Sequence, residues 1–274
     1  SKMIKITPQD PSFILVILSG LIGAIIWNLI TWALALPTSS SHALIGGLSG
    51  AAMAFGGIDT LQYDLLLITA LFIFISPFLG FIGGFLIMFL NFALFRKSHP
   101  QEIDQLFRKG QLVSAALYSI GHGANDAQKT MGVIFACLLA AGYVTEKETL
   151  SLTNPNTSWI IFSCHLAMAI GTALGGWRII KTLGQRITPL KPIGGFSAET
   201  SGAIALFFAT ATGIPVSTTH TITASIIGVG MVNTPLSRIK WTIARKIVWA
   251  WIFTLPCAAI MAAMSLLVLK TIQT

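Results

Sequence analysis

Two stretches of the sequence repeat each other and decide the fold. The first is Leu36-Pro37-Thr38-Ser39-Ser40-Ser41-His42, and the second, 178 residues later, is Ile214-Pro215-Val216-Ser217-Thr218-Thr219-His220. The same shift relates Gly50 to Gly228. A single copy would be typical of a helix start, because Ser and Thr side chains accept hydrogen bonds from the first free backbone N–H groups. Two copies favour a duplicated core with paired broken helices, an arrangement common in membrane transporters.

The sequence around both copies is that of a membrane protein. Hydrophobic residues make up 54% of the 274 residues and charged residues only 9%, whereas a soluble domain carries about 25% charged residues. A membrane span needs about 20 apolar residues. Five uncharged stretches can therefore enter or cross a bilayer: 12–36, 65–95, 159–177, 200–237 and 247–269. We predict an all-α, polytopic transmembrane protein and exclude soluble enzymes and nucleic-acid-binding modules.

The positive charges predict the topology. The net charge is +8, and most Lys and Arg residues lie in three connecting segments, 96–109, 178–191 and 238–246. Basic connecting segments mark the cytoplasmic side, so the two Ser/Thr copies would enter the membrane from opposite sides. We therefore expect inverted repeats with broken or re-entrant helices. Three regions follow: 1–95 as the remainder of the N-terminal repeat, 96–110 as a cytoplasmic loop, and 111–274 as the C-terminal repeat.

Breaks are expected where a nearly uncharged segment is too long for one helix. Segment 12–57 is interrupted at Pro37, and segment 200–237 is interrupted at 213–215. Segment 111–145 holds only two charges, Asp126 and Lys129, and we expect a third break there, at the glycines preceding Asp126. Broken helices at membrane depth are tolerated where the freed backbone is buried in protein or lines a cavity. Aromatic side chains, including Trp249 and Trp251, are expected to face lipid or the membrane interface.

The helix starts supply the chemistry. The first turn of a helix exposes unpaired N–H groups at the positive end of its dipole, so it attracts anions. Two such starts, meeting from opposite faces, would form a cradle for an oxyanion. Six hydroxyl groups would add donors to that cradle: Ser39, Ser40, Ser41, Ser217, Thr218 and Thr219.

Ionisable side chains within the spans are the other candidates. Burying one costs about 2.5–3.5 kcal/mol on insertion scales, so such a residue is a functional candidate by default. Asp126 is the strongest of these, and Glu199 is a second acid that could instead cap a helix at the interface. His42, His220 and His122 could carry protons. They could equally be polar packing residues that hold the helix starts.

Three motifs in this order resemble the inorganic phosphate transporter (PiT) family. They are Gly123-Ala124-Asn125-Asp126, Ser197-Ala198-Glu199-Thr200 and Pro215-Val216-Ser217-Thr218-Thr219-His220, and the resemblance covers nearly the whole chain. It implies secondary transport of inorganic phosphate by two inverted repeats in a homodimer. It also implies that Gly123, Asn125, Asp126 and the Ser/Thr turns surround phosphate and its coupling ions, and that transport needs Glu199.

The residues that follow Gly123-Ala124-Asn125-Asp126 predict the coupling ion. Gln128-Lys129 is similar to the bacterial low-affinity subgroup, which is associated with proton coupling and metal–phosphate complexes. Asp126 and Lys129 share a helix face if the segment is helical. We predict that Lys129 is a built-in cation that replaces a sodium site: it would turn toward an entering phosphate and leave Asp126 to take up a proton. The alternative is a lysine that snorkels to the interface.

The expected partners are inorganic phosphate, a coupling cation (proton favoured over sodium), the lipid bilayer and a second copy of the chain. No cofactor, metal site or nucleic acid is expected. The family carries the Gly-Ala-Asn-Asp motif in each half and this sequence has it once. We therefore expect a fragment that lacks the N-terminal part of the first repeat and does not transport alone.

Two other functions remain open at this point. A permease for sulfate or another oxyanion could use the same cradle, because the cradle reads shape and charge. From a different class, Ser217, His220 and Asp126 could form an intramembrane hydrolase triad. The duplication counts against the hydrolase, since a nucleophile is needed once and an inverted repeat needs its half-site twice.

Overall fold

The computed structural model describes residues 4–212, 216–233, 235 and 239–273, and these residues form nine α-helices. Four of the helices, α1, α3, α5 and α9, are long and apolar enough to cross a membrane, which agrees with the expected all-α, polytopic fold. A π-helical turn, Thr182–Ile187, follows α6. The helices are α1 Phe13–Ala33, α2 Ser40–Gly56, α3 Tyr63–Phe95, α4 Pro100–Ala140, α5 Pro155–Gly175, α6 Trp177–Lys181, α7 Pro192–Thr212, α8 Thr218–Asn233 and α9 Trp241–Gln273.

The first predicted break is present, and a side-chain cap restarts the helix after it. Helix α1 ends at Ala33, and α2 begins at Ser40. Ser39 caps α2, since its Oγ accepts the backbone N–H of His42 at 3.3 Å. In the second copy, Ser217 Oγ accepts the backbone N–H of His220 at 3.2 Å. The break expected at 213–215 lies outside the described residues.

Helices α1 to α3 and α7 to α9 form two matching sets. Each helix of the second set begins 178 or 179 residues after its counterpart in the first. The sets are interleaved, because α2 packs on α9 and α8 packs on α3. A Cβ atom added to Gly50 would lie 2.2 Å from the carbonyl oxygen of Ala259, and one added to Gly228 would lie 2.2 Å from that of Phe81. The 178-residue shift relates these two contacts to each other, so the packing repeats as well as the sequence.

The contacts of α4 give the direction of the helices. Gln111, early in α4, bonds Glu199 of α7, and Gly121, later in α4, lies against Leu206. These two helices therefore run parallel. Asp126 bonds Ser41 at the start of α2, and residues further along both helices share one apolar core, so α2 also runs parallel to α4.

Helix α8 runs the other way. Its later residue Val229 lies against Gly194, near the start of α7, and its earlier residue Ile222 lies against Gly202. Since α8 is antiparallel to α7, it is also antiparallel to α2. The starts of α2 and α8 thus approach each other from opposite directions, which is the arrangement expected of inverted repeats.

Two expectations about α4 are wrong. We expected a break at the glycines preceding Asp126, but α4 is one continuous helix from Pro100 to Ala140. The glycines fit this helix because neighbouring helices, rather than propensity, stabilise it. We also expected residues 96–110 to be a loop, yet only the turn before Pro100 is irregular. Two of the basic segments do lie side by side, since the backbone N–H of Lys240 donates to the carbonyl oxygen of Ile187 at 3.1 Å. In the first basic segment, Phe107 contacts Phe95 and Phe196.

Candidate functional site

The starts of α2 and α8 meet on one carboxylate. Asp126 lies in the middle of α4, and its side chain is 13% exposed. Ser41 of α2 donates its hydroxyl to Asp126 Oδ1 at 3.4 Å. Thr218 of α8 donates to Oδ2 at 3.3 Å. Asp126 therefore joins the two repeats at the level where α2 and α8 begin.

A half-buried ammonium group pairs with this carboxylate. Lys129 lies one turn after Asp126 on α4, with its Nζ 3.2 Å from Asp126 Oδ1 and 2.7 Å from Asn125 Oδ1. The same ammonium donates to the hydroxyl of Ser41. Its side chain is 23% exposed. Because its Nζ contacts Asp126, Asn125 and Ser41, the structure contradicts the alternative of a lysine that snorkels to the interface.

An imidazole contacts the other side of the carboxylate. His122 lies one turn before Asp126, with Nε2 3.2 Å from Oδ2. Its ring packs beside Tyr118, whose hydroxyl donates to the backbone carbonyl of Thr218 at 3.3 Å. Asp126 and the five residues whose side chains bond to it or to Lys129 form what we call the Asp126 cluster: Ser41, His122, Asn125, Asp126, Lys129 and Thr218.

The other hydroxyl candidates have different environments. Ser39 and Ser217 are buried and engaged as helix caps. Ser40 is exposed and Thr219 is half-buried, and the hydroxyl bonds to Asp126 come from their neighbours Ser41 and Thr218. Gly123 lies on the same stretch of α4, and an added Cβ atom there would meet nothing within 4 Å.

Two of the three candidate histidines lie apart from the carboxylate. His42 and His220 contact each other, with ring centroids 4.9 Å apart. His220 also stacks on Trp251, at 4.1 Å between centroids. The expectation that Trp251 faces lipid is wrong, because its side chain is 5% exposed. Trp249, two residues earlier on α9, is 53% exposed, as predicted.

Glu199 forms a separate polar contact between α4 and α7. Ser114 donates to Glu199 Oε2 at 2.6 Å, and Gln111 donates to Oε1 at 3.3 Å. Ser114 precedes Asp126 by twelve residues on one helix, which corresponds to about 18 Å at the α-helical rise. Glu199 lines an open cavity of about 530 Å³ beside Arg108. The structure therefore does not place Glu199 in the Asp126 cluster, where the sequence had grouped it.

The sequence analysis missed two residues that position the site. Tyr118 and Trp251 hold the backbone of the two motifs, by hydrogen bonds to Thr218 and to Pro37 O, the latter at 3.0 Å. Tyr118 lies two turns before Asp126 on α4, so its helical spacing is a usable signal. Trp251 differs from its lipid-facing neighbour Trp249 only by its position on the face of α9, which composition does not reveal.

The cluster contains the kinds of group that anion binding and proton transfer require. Its carboxylate and ammonium are balanced, and the two helix starts present hydroxyl and N–H donors. The proposed hydrolase triad is not formed, since Ser217 Oγ caps a helix and Asp126 bonds Thr218 instead. Among the described residues, no group of three His, Cys, Asp or Glu side chains is placed to hold a metal ion.

Known proteins are similar to this chain in sequence. A model of the phosphate transporter family matches residues 1–262. A probable low-affinity inorganic phosphate transporter of Rhizobium meliloti (strain 1021) is 48% identical over 259 residues, which are 94% of this chain and 74% of the relative. A protein of the same description from Bacillus subtilis (strain 168) is 40% identical over 257 residues, with coverage of 94% and 75%.

A solved structure has the same fold. The sodium-dependent phosphate transporter superposes with a TM-score of 0.84 over 98% of this chain and 83% of that chain, at 22% identity. The family match confirms the resemblance of the three motifs and the expectation of a transporter rather than an enzyme. Together with its long apolar helices, it also makes the protein a multi-pass protein of the cell membrane. The chain belongs to the phosphate transporter family.

Proposed function

We propose that the protein is a secondary active symporter that moves inorganic phosphate across the cell membrane and is driven by protons. The observation that carries the proposal is the Asp126–Lys129 ion pair, held where the starts of α2 and α8 meet. An ion pair inside a membrane protein is costly to bury unless further hydrogen bonds satisfy its members, and charged residues kept there are functional candidates by default.

The cluster supports phosphate as the ligand. Hydroxyl groups of Ser41 and Thr218 lie on opposite sides of it, and each belongs to the first turn of a helix, where anions are favoured. Lys129 adds one positive charge. The absence of an arginine from the cluster favours reversible binding, because the bidentate pairs that arginine forms with phosphate are the strong ones.

The ion pair also supports proton coupling. When phosphate enters, the Lys129 ammonium exchanges Asp126 for a phosphate oxygen. The carboxylate that is left then accepts one proton, and His122, 3.2 Å away, is placed to deliver it. On release the proton leaves Asp126, and the ammonium returns to it. One phosphate and one proton thus travel together, with Lys129 in the place that an alkali cation would otherwise fill.

Uptake by the complete protein in proteoliposomes tests the proposal. Radiolabelled phosphate is supplied under an imposed pH gradient or an imposed sodium gradient, with sulfate as competitor. We expect saturable uptake that follows the pH gradient and is not displaced by sulfate. Repeating the assay with and without divalent cations distinguishes the free anion from a metal–phosphate complex. Uptake that follows sodium alone would contradict proton coupling, and equal uptake of sulfate would contradict phosphate selectivity.

A further inference from the structure

The same side chain of both repeats meets at one point in the core. His42 and His220 occupy equivalent positions in the two motifs, and their rings contact edge to face with centroids 4.9 Å apart. They are 1% and 0% exposed. Each is the residue whose backbone N–H is capped, by Ser39 and by Ser217. The contact therefore joins the first turns of α2 and α8 directly.

Trp251 closes this link from the side of α9. Its indole stacks on His220 at 4.1 Å and at an angle of 26°. Its Nε1 donates to the carbonyl oxygen of Pro37 at 3.0 Å. One aromatic residue thus contacts the imidazole of the second motif and the backbone of the first. We call His42, His220 and Trp251 the aromatic link.

The surroundings of the two rings favour packing over proton transfer. His42 Nδ1 and both ring nitrogens of His220 are buried and have no hydrogen-bond partner among the described residues. A charged imidazole in such a place would leave its donors unsatisfied, which is expensive in a buried site. By contrast His122 is half-buried and bonded to Asp126. Lys129 and Asp126 of α4 act on His42 electrostatically, and the backbone of Ile73 on α3 lies close to His220. Within the described part of the chain, Asp126 bonds Ser41, His122, Lys129 and Thr218 and neither of these two rings.

We propose that the aromatic link fixes the spacing between the first turns of α2 and α8, so that Ser41 and Thr218 engage one ligand together. The three residues are positioning residues and touch no substrate. The inference rests on the proposed function, because it assumes that phosphate binds at the Asp126 cluster. Ser41 adjoins His42 in the chain, and Thr218 precedes His220 by two residues. A change of spacing at the link is thus passed directly to both hydroxyls.

Uptake kinetics of substituted full-length protein test the link. We expect His220→Ala to raise the KM for phosphate about tenfold, the size expected for one lost aromatic contact, with little change in maximal rate. The conservative variant His220→Phe keeps a ring and should restore most of the affinity, with a pH profile like that of the wild type. Trp249→Ala is the matched control on the lipid-facing side of α9. A His220→Phe protein as defective as His220→Ala would overturn the proposal, since it would show that the imidazole nitrogens are needed.

A double-mutant cycle and a spectroscopic signal keep the test independent of folding. The double variant His42→Ala/His220→Ala should bind phosphate no more weakly than the worse single variant, because each single variant already removes the contact between the two rings. Additive losses would overturn the link. In protein labelled with 5-fluorotryptophan, the Trp251 resonance, assigned by its loss in Trp251→Phe, should shift when phosphate is added. An unmoved resonance would also overturn it. Wild-type protein that binds no phosphate would instead refute the proposed function.

Discussion

The ammonium of Lys129 lies 3.2 Å from the carboxylate of Asp126, one turn earlier on the same helix. Both side chains also reach Ser41 of the first repeat. The pair therefore ties α4 to the start of α2 and leaves the cluster without net charge from these two groups. A phosphate that enters must either keep this pair intact or open it.

Replacing Lys129 should separate these two cases. Lys129→Asn removes the positive charge and leaves His122 as the one remaining ion-pair partner of Asp126 among the residues that the structure describes. We expect proton-driven phosphate uptake to fall by tenfold or more, because a hydrogen bond to a charged group is worth about 1.5–3 kcal/mol. Lys147→Asn, which removes an exposed lysine in the loop after α4, is the control. Uptake under a pH gradient that matches the wild type would refute the role given to Lys129. Repeating the assay with a sodium gradient shows whether sodium can replace the missing charge.

Adjacent hydroxyls of the second motif should affect different properties. Ser217 caps α8, so Ser217→Ala should lower the free energy of unfolding by about 0.5–2 kcal/mol and leave the KM for phosphate almost unchanged. Thr218 bonds Asp126, so Thr218→Ala should weaken phosphate binding by about 1.5–3 kcal/mol with little loss of stability. Thermal unfolding in detergent and equilibrium phosphate binding measure the two effects. If both variants change the same property, Ser217 and Thr218 do not have the separate roles of helix cap and phosphate-binding residue.

The sequence predicts the duplicated motif and the opposite entry of its two copies, because both follow from local signals: Ser after Pro, long uncharged segments and clustered Lys and Arg. It does not predict that α4 is continuous. A Gly-rich stretch beside an intramembrane Asp is also typical of a break, but α4 stays helical because its packing on neighbouring helices stabilises the helix as a whole.

The sequence likewise predicts some features of the candidate site and not others. Asp126, Lys129, Ser41 and Thr218 were all candidates, since charged residues and helix starts are visible in a membrane sequence. The sequence could not show which hydroxyls cap a helix and which bond Asp126, because Ser217 and Thr218 differ only in the direction in which each side chain points. Glu199 was grouped with Asp126 because both are acids in apolar segments, yet the fold keeps the two carboxylates about three turns of α4 apart.

Because of that separation, a change at Glu199 should affect the rate of transport and not the affinity for phosphate. Glu199 connects α4 to α7 through Ser114 and Gln111, and sites more than about 10 Å apart contribute nearly independently. Glu199→Gln should therefore leave the equilibrium constant for phosphate near its wild-type value, while the maximal uptake rate falls, because alternating access moves helices against each other. Glu102→Gln, at the exposed start of α4, is the control. A large loss of phosphate affinity would place Glu199 back in the binding site.

The interleaved packing makes a prediction about two glycines that the 178-residue shift relates. A methyl group at Gly50 would lie 2.2 Å from the Ala259 carbonyl oxygen, and one at Gly228 would lie 2.2 Å from that of Phe81. Both obstacles are backbone atoms, so two helices must separate to admit either methyl group. Gly50→Ala and Gly228→Ala should each lower stability by about 1–3 kcal/mol, the usual effect of overpacking.

Gly132 supplies the matched control for this pair. It lies inside α4, and an added Cβ atom there would meet nothing within 4 Å. Because alanine is favoured over glycine in a helix interior by about 0.5–1 kcal/mol, Gly132→Ala should be neutral or stabilising. Midpoints of thermal unfolding in one detergent compare the three variants. The decisive feature is the similarity of the two losses: if Gly228→Ala destabilises and Gly50→Ala does not, α2 does not pack on α9 in the way that α8 packs on α3, and the two repeats are not equivalent.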